Sequence, residues 1–147
     1  MRSVDDLAAE IETTLRGRFS VKKRVLIALA GPPGAGKSTL ADALVQRLNT
    51  SSPEAPAAVV PMDGFHYDNL ILEARGLRGR KGAPETFDAS GFLALLHRLR
   101  DVTNDVAIPV FDRSMDLSRA SARMIETRHR LLVVEGNYLL LDRPVWR

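Results

Sequence analysis

The chain has 147 residues, 45% of them hydrophobic and 27% charged, which is enough apolar surface for one core without staples and too balanced a mixture for a disordered or fibrous segment. It has no cysteine, which removes disulfides, thiolate metal sites and a cysteine nucleophile, and its net charge of +3 suits an anionic small molecule as well as nucleic acid. No run approaches the roughly 18 apolar residues of a membrane helix, and the start, MRSVDDLAAEIE, is acidic and amphipathic, unlike a signal peptide, so the expectation is a single cytosolic domain, 1–147, with no membrane partner.

Residues 3–16 predict an amphipathic helix: Ser3 with Asp6 makes a capping box, and Leu7, Ile11 and Leu15 recur every four residues. RVLIALA, 24–30, reads as a short buried parallel strand, followed by a helix from Lys37 to Leu48 with Leu40, Leu44 and Leu48 on one face. After a loop at NTSSPEAP comes a second strand, AAVVPMD (57–63), and then a long, basic, glycine-containing loop, GFHYDNLILEARGLRGRKGAPET. Asp88 can cap a helix whose stripe is Phe92, Leu95, Leu96 and Leu99. VAIPVFD (106–112) predicts a third strand that Pro109 pushes toward an edge, residues 113–130 fit a helix or a hairpin, and RLLVVEG (130–136) is a clear strand. RHR, at 128–130, reads as solvated loop charge.

This order predicts an α/β fold of three layers with a mostly parallel sheet, the 24–30 strand at its centre and the strands near 58–62 and 131–135 parallel to it. The chain stops at DRPVWR soon after an expected inner strand, so a C-terminally incomplete domain is expected, lacking a last strand and a lid.

GPPGAGKST satisfies G-x-x-x-x-G-K-[ST] between a strand and a helix, as a phosphate-binding loop requires. Gly31, Pro32, Pro33, Gly34, Ala35, Gly36, Lys37, Ser38 and Thr39 are the candidate nucleotide contacts. Glycines let successive N–H groups turn toward phosphate oxygens, the helix N-terminus adds positive potential, Lys37 would reach the β and γ phosphates, and Ser38 would take a place on Mg²⁺. Glu135, ending LLVVE, is the second candidate Mg²⁺ ligand, although it also fits an ordinary strand-end acid. Asp63, Asp112 and Glu135 all end strands, where open α/β sheets collect ligands, and this suggests one site.

The motifs that would mark a GTPase, N-K-x-D and D-x-x-G, are not in their expected places, and no ABC signature or motor-length chain is present. PMDGFHYD instead offers Asp63 as a base for an acceptor hydroxyl and His66 as a hydrogen-bonding partner of that acceptor. Asp63 also fits a turn-forming Asp-Gly, and His66 a packed loop histidine.

GPPGAGKST, MDGFH, KGAPETFD, IPVFDR and VVEGNYLLL occur in the order and spacing of the phosphoribulokinase, uridine kinase and bacterial pantothenate kinase family, which the chain resembles over about residues 24–142. The resemblance implies ATP-dependent phosphorylation of a hydroxyl on a small metabolite: a sugar such as fructose, a nucleoside or pantothenate. Under it Asp63 matches the family's catalytic base, Asp88 an acid that binds acceptor hydroxyls in uridine kinases, and Phe111 an aromatic that packs on the base. His66 stands where those uridine kinases carry a substrate-contacting tyrosine, while KGAPETFD is closer to the pantothenate kinases. The family's arginine-bearing lid and adenine-contacting tail lie beyond the last matched segment.

The functional expectation is therefore an ATP- and Mg²⁺-using metabolite kinase, with Lys37 and Asp63 catalytic and Asp63, His66, Lys81, Asp88, Phe111 and Arg113 toward the acceptor. Lys81 equally fits a solvated loop charge, and Arg113 could steady the transferring phosphate. The alternative is a nucleotide-binding regulatory module that turns over slowly or not at all. RGLRGRKG lacks the aromatic interleaving of single-strand binders, so nucleic acid is not an expected partner.

Overall fold

The computed structural model describes residues 2–16, 18 and 23–146. Helix α1, Val4–Leu15, starts at the expected capping box: Ser3 Oγ accepts the Asp6 amide at 3.0 Å, and Asp6 Oδ2 accepts the Ser3 amide at 3.1 Å. Its buried face keeps Leu15 and, in part, Ile11 of the predicted stripe but turns away from Leu7. Ala8, Glu12 and Leu15 are buried while Leu7 is exposed, because the small Ala8 side chain lets α1 lie close to α2, Lys37–Ser51. Buried Glu12 meets Arg47 at 3.0 Å on α2, and a hydrogen bond from Ser51 does most to hold its carboxyl below the usual range.

Strands β1 (Val25–Ala30), β2 (Ala57–Pro61) and β5 (Leu131–Gly136) form a parallel sheet of order β1-β5-β2 among the described residues. The expectation of β1 at the centre is thus overturned. Every residue of β5 is buried, whereas β1 is only partly so, and a strand that is apolar on both faces is the one best covered with a neighbour on each edge. The pleat divides β5 between two cores. Leu131 and Val133 join Ala41, Leu44 and Leu48 of α2, while Leu132 and Val134 join Phe92, Leu95 and Leu99 of α4, Ala89–Arg100. The expected three layers are therefore present, with α1 and α2 on one face of the sheet.

The other face also carries an antiparallel hairpin of β3 (Val106–Asp112) and β4 (Leu117–Ile125), which settles 113–130 as a hairpin. Pro109 sits at the register shift between Ile108 and Val110, where its missing N–H costs the ladder least. The predicted loop after β2 holds more structure than expected. A 3₁₀ turn, Met62–Phe65, is followed by α3, Asn69–Ala74, which Asp68 caps by accepting the Leu70 amide at 2.8 Å, and by short turns at Arg78–Arg80 and Pro84–Thr86. Six residues are too few for a helical period to show in the sequence.

The turn after β2 is fixed by contact with β3. A Cβ on Gly64 would lie 2.4 Å from the Pro109 carbonyl oxygen, so only glycine lets the turn lie against that strand. RHR departs from its expected role in part. Arg128 is exposed, but His129 is half-buried and its Nδ1 accepts the Glu126 amide at 2.8 Å.

Candidate active site

The loop between β1 and α2 turns through Gly34 and Gly36 at φ 75° and 79°, backbone that L side chains rarely adopt, so both glycines are needed where they stand. Lys37 opens the fifteen-residue α2, and its Nζ donates to the Pro32 carbonyl at 2.8 Å, which holds the ammonium back over the loop. The Ala35 amide donates to the same carbonyl at 3.3 Å. Ser38, one residue on, donates from Oγ to Glu135 Oε1 at 3.3 Å.

Glu135 is buried near the C-terminal end of β5. Burial first, and then the Asp63 carboxylate, push its carboxyl above the usual range, partly offset by the Ser38 hydrogen bond and by Lys37. Two carboxylates beside a serine hydroxyl make an oxygen donor set of the kind a hard divalent cation prefers, and countercharge there would relieve the pressure on Glu135.

Asp63 lies in the 3₁₀ turn just past β2, with Arg113 Nη2 at 3.4 Å from its Oδ2. The arginine side chain is 80% exposed, so this ion pair is weak and easily exchanged. His66 Nδ1 lies 2.9 Å from the Asp63 carbonyl oxygen, which can only accept, so Nδ1 carries the proton. Its ring packs on Phe87 at 4.0 Å and Phe111 at 4.8 Å, and burial lowers its pKa, with the nearby Asp63 groups opposing. The neutral ring thus leaves Nε2 as an acceptor.

A cleft of about 500 Å³ joins these parts, within the roughly 300–1,000 Å³ of small-molecule sites. The loop lines it through Pro33, Gly34, Gly36, Lys37, Ser38 and Thr39, and Asp63, His66, Lys81, Arg113 and Glu135 complete the wall. Gly31 and Pro32 instead line a shallow neighbouring hollow with Tyr138. Phe111 borders an adjoining pocket of about 150 Å³ that also touches Asp63 and Glu135. Asp88 stands apart from the lining: its Oδ1 caps α4 through the Gly91 amide at 2.9 Å, and its own amide donates to the Phe65 carbonyl at 2.8 Å. The third strand-end acid, Asp112, does not join the site either. Its Oδ1 accepts from Ser114 and Met115 in the hairpin turn, although its neighbours Phe111 and Arg113 line the site.

Residues that the sequence did not single out surround Lys81. Asn69 Oδ1 at 2.7 Å and Asp116, through its carbonyl at 2.7 Å and Oδ1 at 2.8 Å, accept from the Lys81 ammonium. No local pattern could have paired Lys81 with a residue 35 positions away. Asn137 also lines the cleft, and the Tyr138 hydroxyl donates to the Gly82 carbonyl. Both lie in the VVEGNYLLL segment, the only signal that pointed to them.

No family model matches the chain. A solved structure from Silicibacter sp., provisionally named a fructose transport system kinase, is 46% identical with a TM-score of 0.84, covering 100% of this chain and 69% of its own. A protein of Schizosaccharomyces pombe provisionally named a uridine kinase is 39% identical over 133 residues, 85% of this chain and 55% of its own length. The pantothenate kinase of Coxiella burnetii is 30% identical over 128 residues, 87% of this chain and 36% of the enzyme. The chain thus spans about half or less of the curated relatives it matches. With a phosphate-binding loop between strand and helix, a parallel α/β sheet and these relatives, the chain belongs to the phosphoribulokinase, uridine kinase and bacterial pantothenate kinase family of P-loop kinases.

Proposed function

We propose that the full-length protein is a cytoplasmic kinase that transfers the γ-phosphoryl group of ATP to a hydroxyl of a small metabolite. The observation that carries this reading is the sharing of one cleft by Lys37 and Asp63, with Glu135 and Ser38 beside them. A phosphate grip alone would serve a switch or a motor equally well. A carboxylate set across the cleft from the grip is what transfer to an alcohol adds.

Lys37 and the loop amides hold the β and γ phosphates, replacing water with fixed donors that cost no reorganisation during reaction. Ser38 and Glu135 would hold Mg²⁺; bound there, it supplies countercharge to the phosphate oxygens. Asp63 orients the acceptor hydroxyl. The hydroxyl oxygen bonds to the γ-phosphorus, the bond from that phosphorus to the β,γ-bridging oxygen breaks with its electron pair leaving on ADP, and the hydroxyl proton passes to Asp63. Arg113 is held only at 3.4 Å by Asp63, so its guanidinium is free to turn to the transferring oxygens while Asp63 engages the acceptor. His66 Nε2 accepts from a second acceptor hydroxyl, and Phe111, whose ring packs on His66, shapes that side. The Asp88 carboxylate would have to leave its cap on α4 to reach an acceptor.

The relatives' names mention fructose, uridine and pantothenate, all small molecules that carry an alcohol hydroxyl, and the proposal keeps that class: sugar, nucleoside or pantothenate. Among the described residues no helix is long and apolar enough to cross a membrane. The test is ADP release by the full-length protein with ATP, Mg²⁺ and each acceptor in turn. Release stimulated by one acceptor supports a kinase. ATP binding with slow, acceptor-independent turnover would replace the kinase by a nucleotide-binding regulatory module.

A further inference from the structure

An ammonium group has three protons, and Lys81 spends all three inside the protein: on Asn69 Oδ1, on the Asp116 carbonyl and on Asp116 Oδ1, at 2.7, 2.7 and 2.8 Å. Its side chain is 11% exposed, and its Nζ lies 5.1 Å from the centre of the Phe111 ring. Asp116 is built to receive it. It sits in the β3–β4 turn at φ 52°, which aims its carbonyl and carboxylate together at the 69–81 segment, and its Oδ2 also takes Arg78 at 2.9 Å. The next residue, Gly82, is tied on both sides, its amide donating to buried Thr86 Oγ1 at 3.0 Å and its carbonyl accepting from the Tyr138 hydroxyl. Lys81 and Gly82 line the cleft, whereas Asn69 and Asp116 do not.

We infer that Lys81 is a positioning residue rather than a contact for the acceptor: the Lys81–Asp116–Asn69 clamp straps the cleft wall at 81–82 to the hairpin turn and so sets the width of the acceptor side. The kinetic part of this inference rests on the proposed kinase reading; the clamp itself does not. A lysine that bound an acceptor carboxylate or phosphate would have to release one of these three acceptors and so slacken the wall it belongs to. The clamp therefore selects by shape, and its loss loosens acceptor binding while leaving the phosphate loop on α2 untouched.

The test uses full-length protein with Lys81→Met, Asp116→Gly and the double variant. Glycine at 116 keeps the left-handed backbone and the carbonyl but removes the carboxylate. Hydrogen exchange of the nucleotide-free protein is the first readout. Amide exchange across 69–82 should rise at least tenfold in each single variant, and in the double by much less than the product of the two, because both remove the shared Lys81–Asp116 ion pair. The second readout is steady-state turnover with D-fructose, uridine and pantothenate as acceptors. For whichever is phosphorylated, KM should rise about tenfold in both single variants and well short of a hundredfold in the double, with the KM for ATP within twofold of the parent. Wild-type exchange in Asp116→Gly would overturn the clamp, and a normal acceptor KM in Asp116→Gly beside a raised one in Lys81→Met would show that Lys81 touches the acceptor itself. If none of the three is phosphorylated by the parent protein, that result counts against the kinase reading, and the exchange data alone decide the clamp. Should Lys81→Met not fold, Asp116→Gly decides it by the same measurements.

Discussion

Lys37 makes its hydrogen bond to the Pro32 carbonyl of its own loop, so the fold asks little of it, and under the proposed function the nucleotide asks a great deal. Lys37→Ala should weaken ATP binding by roughly 10- to 100-fold, the equivalent of losing a charge-assisted hydrogen bond of about 1.5–3 kcal/mol, with an unchanged urea midpoint. Unaltered ATP affinity in a folded variant would contradict the phosphate-loop assignment. His66 gives a pH signature. Burial holds its folded-state pKa below the unfolded value of about 6.5, so the unfolded chain takes up its proton first as the pH falls. Stability is complete above that unfolded value and declines as the pH drops from there toward the folded pKa. His129, lowered in the same way by burial, adds a parallel loss. Denaturation midpoints at pH 7.5 and 5.5 should therefore fall with acid in the parent, and the difference should shrink in His66→Phe; an equal difference would mean that His66 titrates freely in the folded protein.

The elements differ in how far the sequence revealed them. The phosphate loop and the start of α2 were legible because nine consecutive residues carry the whole signal, and Glu135 because a run of buried aliphatics ended on an acid. The order of the sheet was not: β1 and β5 both read as buried strands, and which is central depends on β5 pairing with β1 and β2 across more than half the chain. The same distance hid Asp116 from Lys81, and Asp112 misled because a strand-end acid looks alike in a parallel sheet and a hairpin. Gly64 shows how an element carries chemistry without touching it. Gly64→Ala would drive a methyl into the Pro109 carbonyl, forcing the 3₁₀ turn off β3 and Asp63 with it. The expected outcome is a loss of about 1–3 kcal/mol in urea unfolding together with slowed phosphoryl transfer and retained ATP binding. A variant with parental turnover would show that Asp63 does not depend on that contact.

At the scale of the whole molecule, the two faces of the sheet divide the work. The α1–α2 side presents the phosphate grip, the side with α4 and the hairpin presents Asp63, His66 and Lys81, and β5 carries Glu135 between them. A kinase follows from this arrangement only if the carboxylate across the cleft takes the acceptor proton. Asp63→Asn in the full-length protein is the most direct test, because the amide keeps the size of the side chain while removing the proton acceptor. ATP affinity, read by titration calorimetry, should remain within about twofold, and acceptor phosphorylation, read by single-turnover transfer from ATP, should slow by about 10²-fold or more. Transfer at the parental rate with ATP binding intact would reduce Asp63 to a turn residue and remove the base from the proposed reaction.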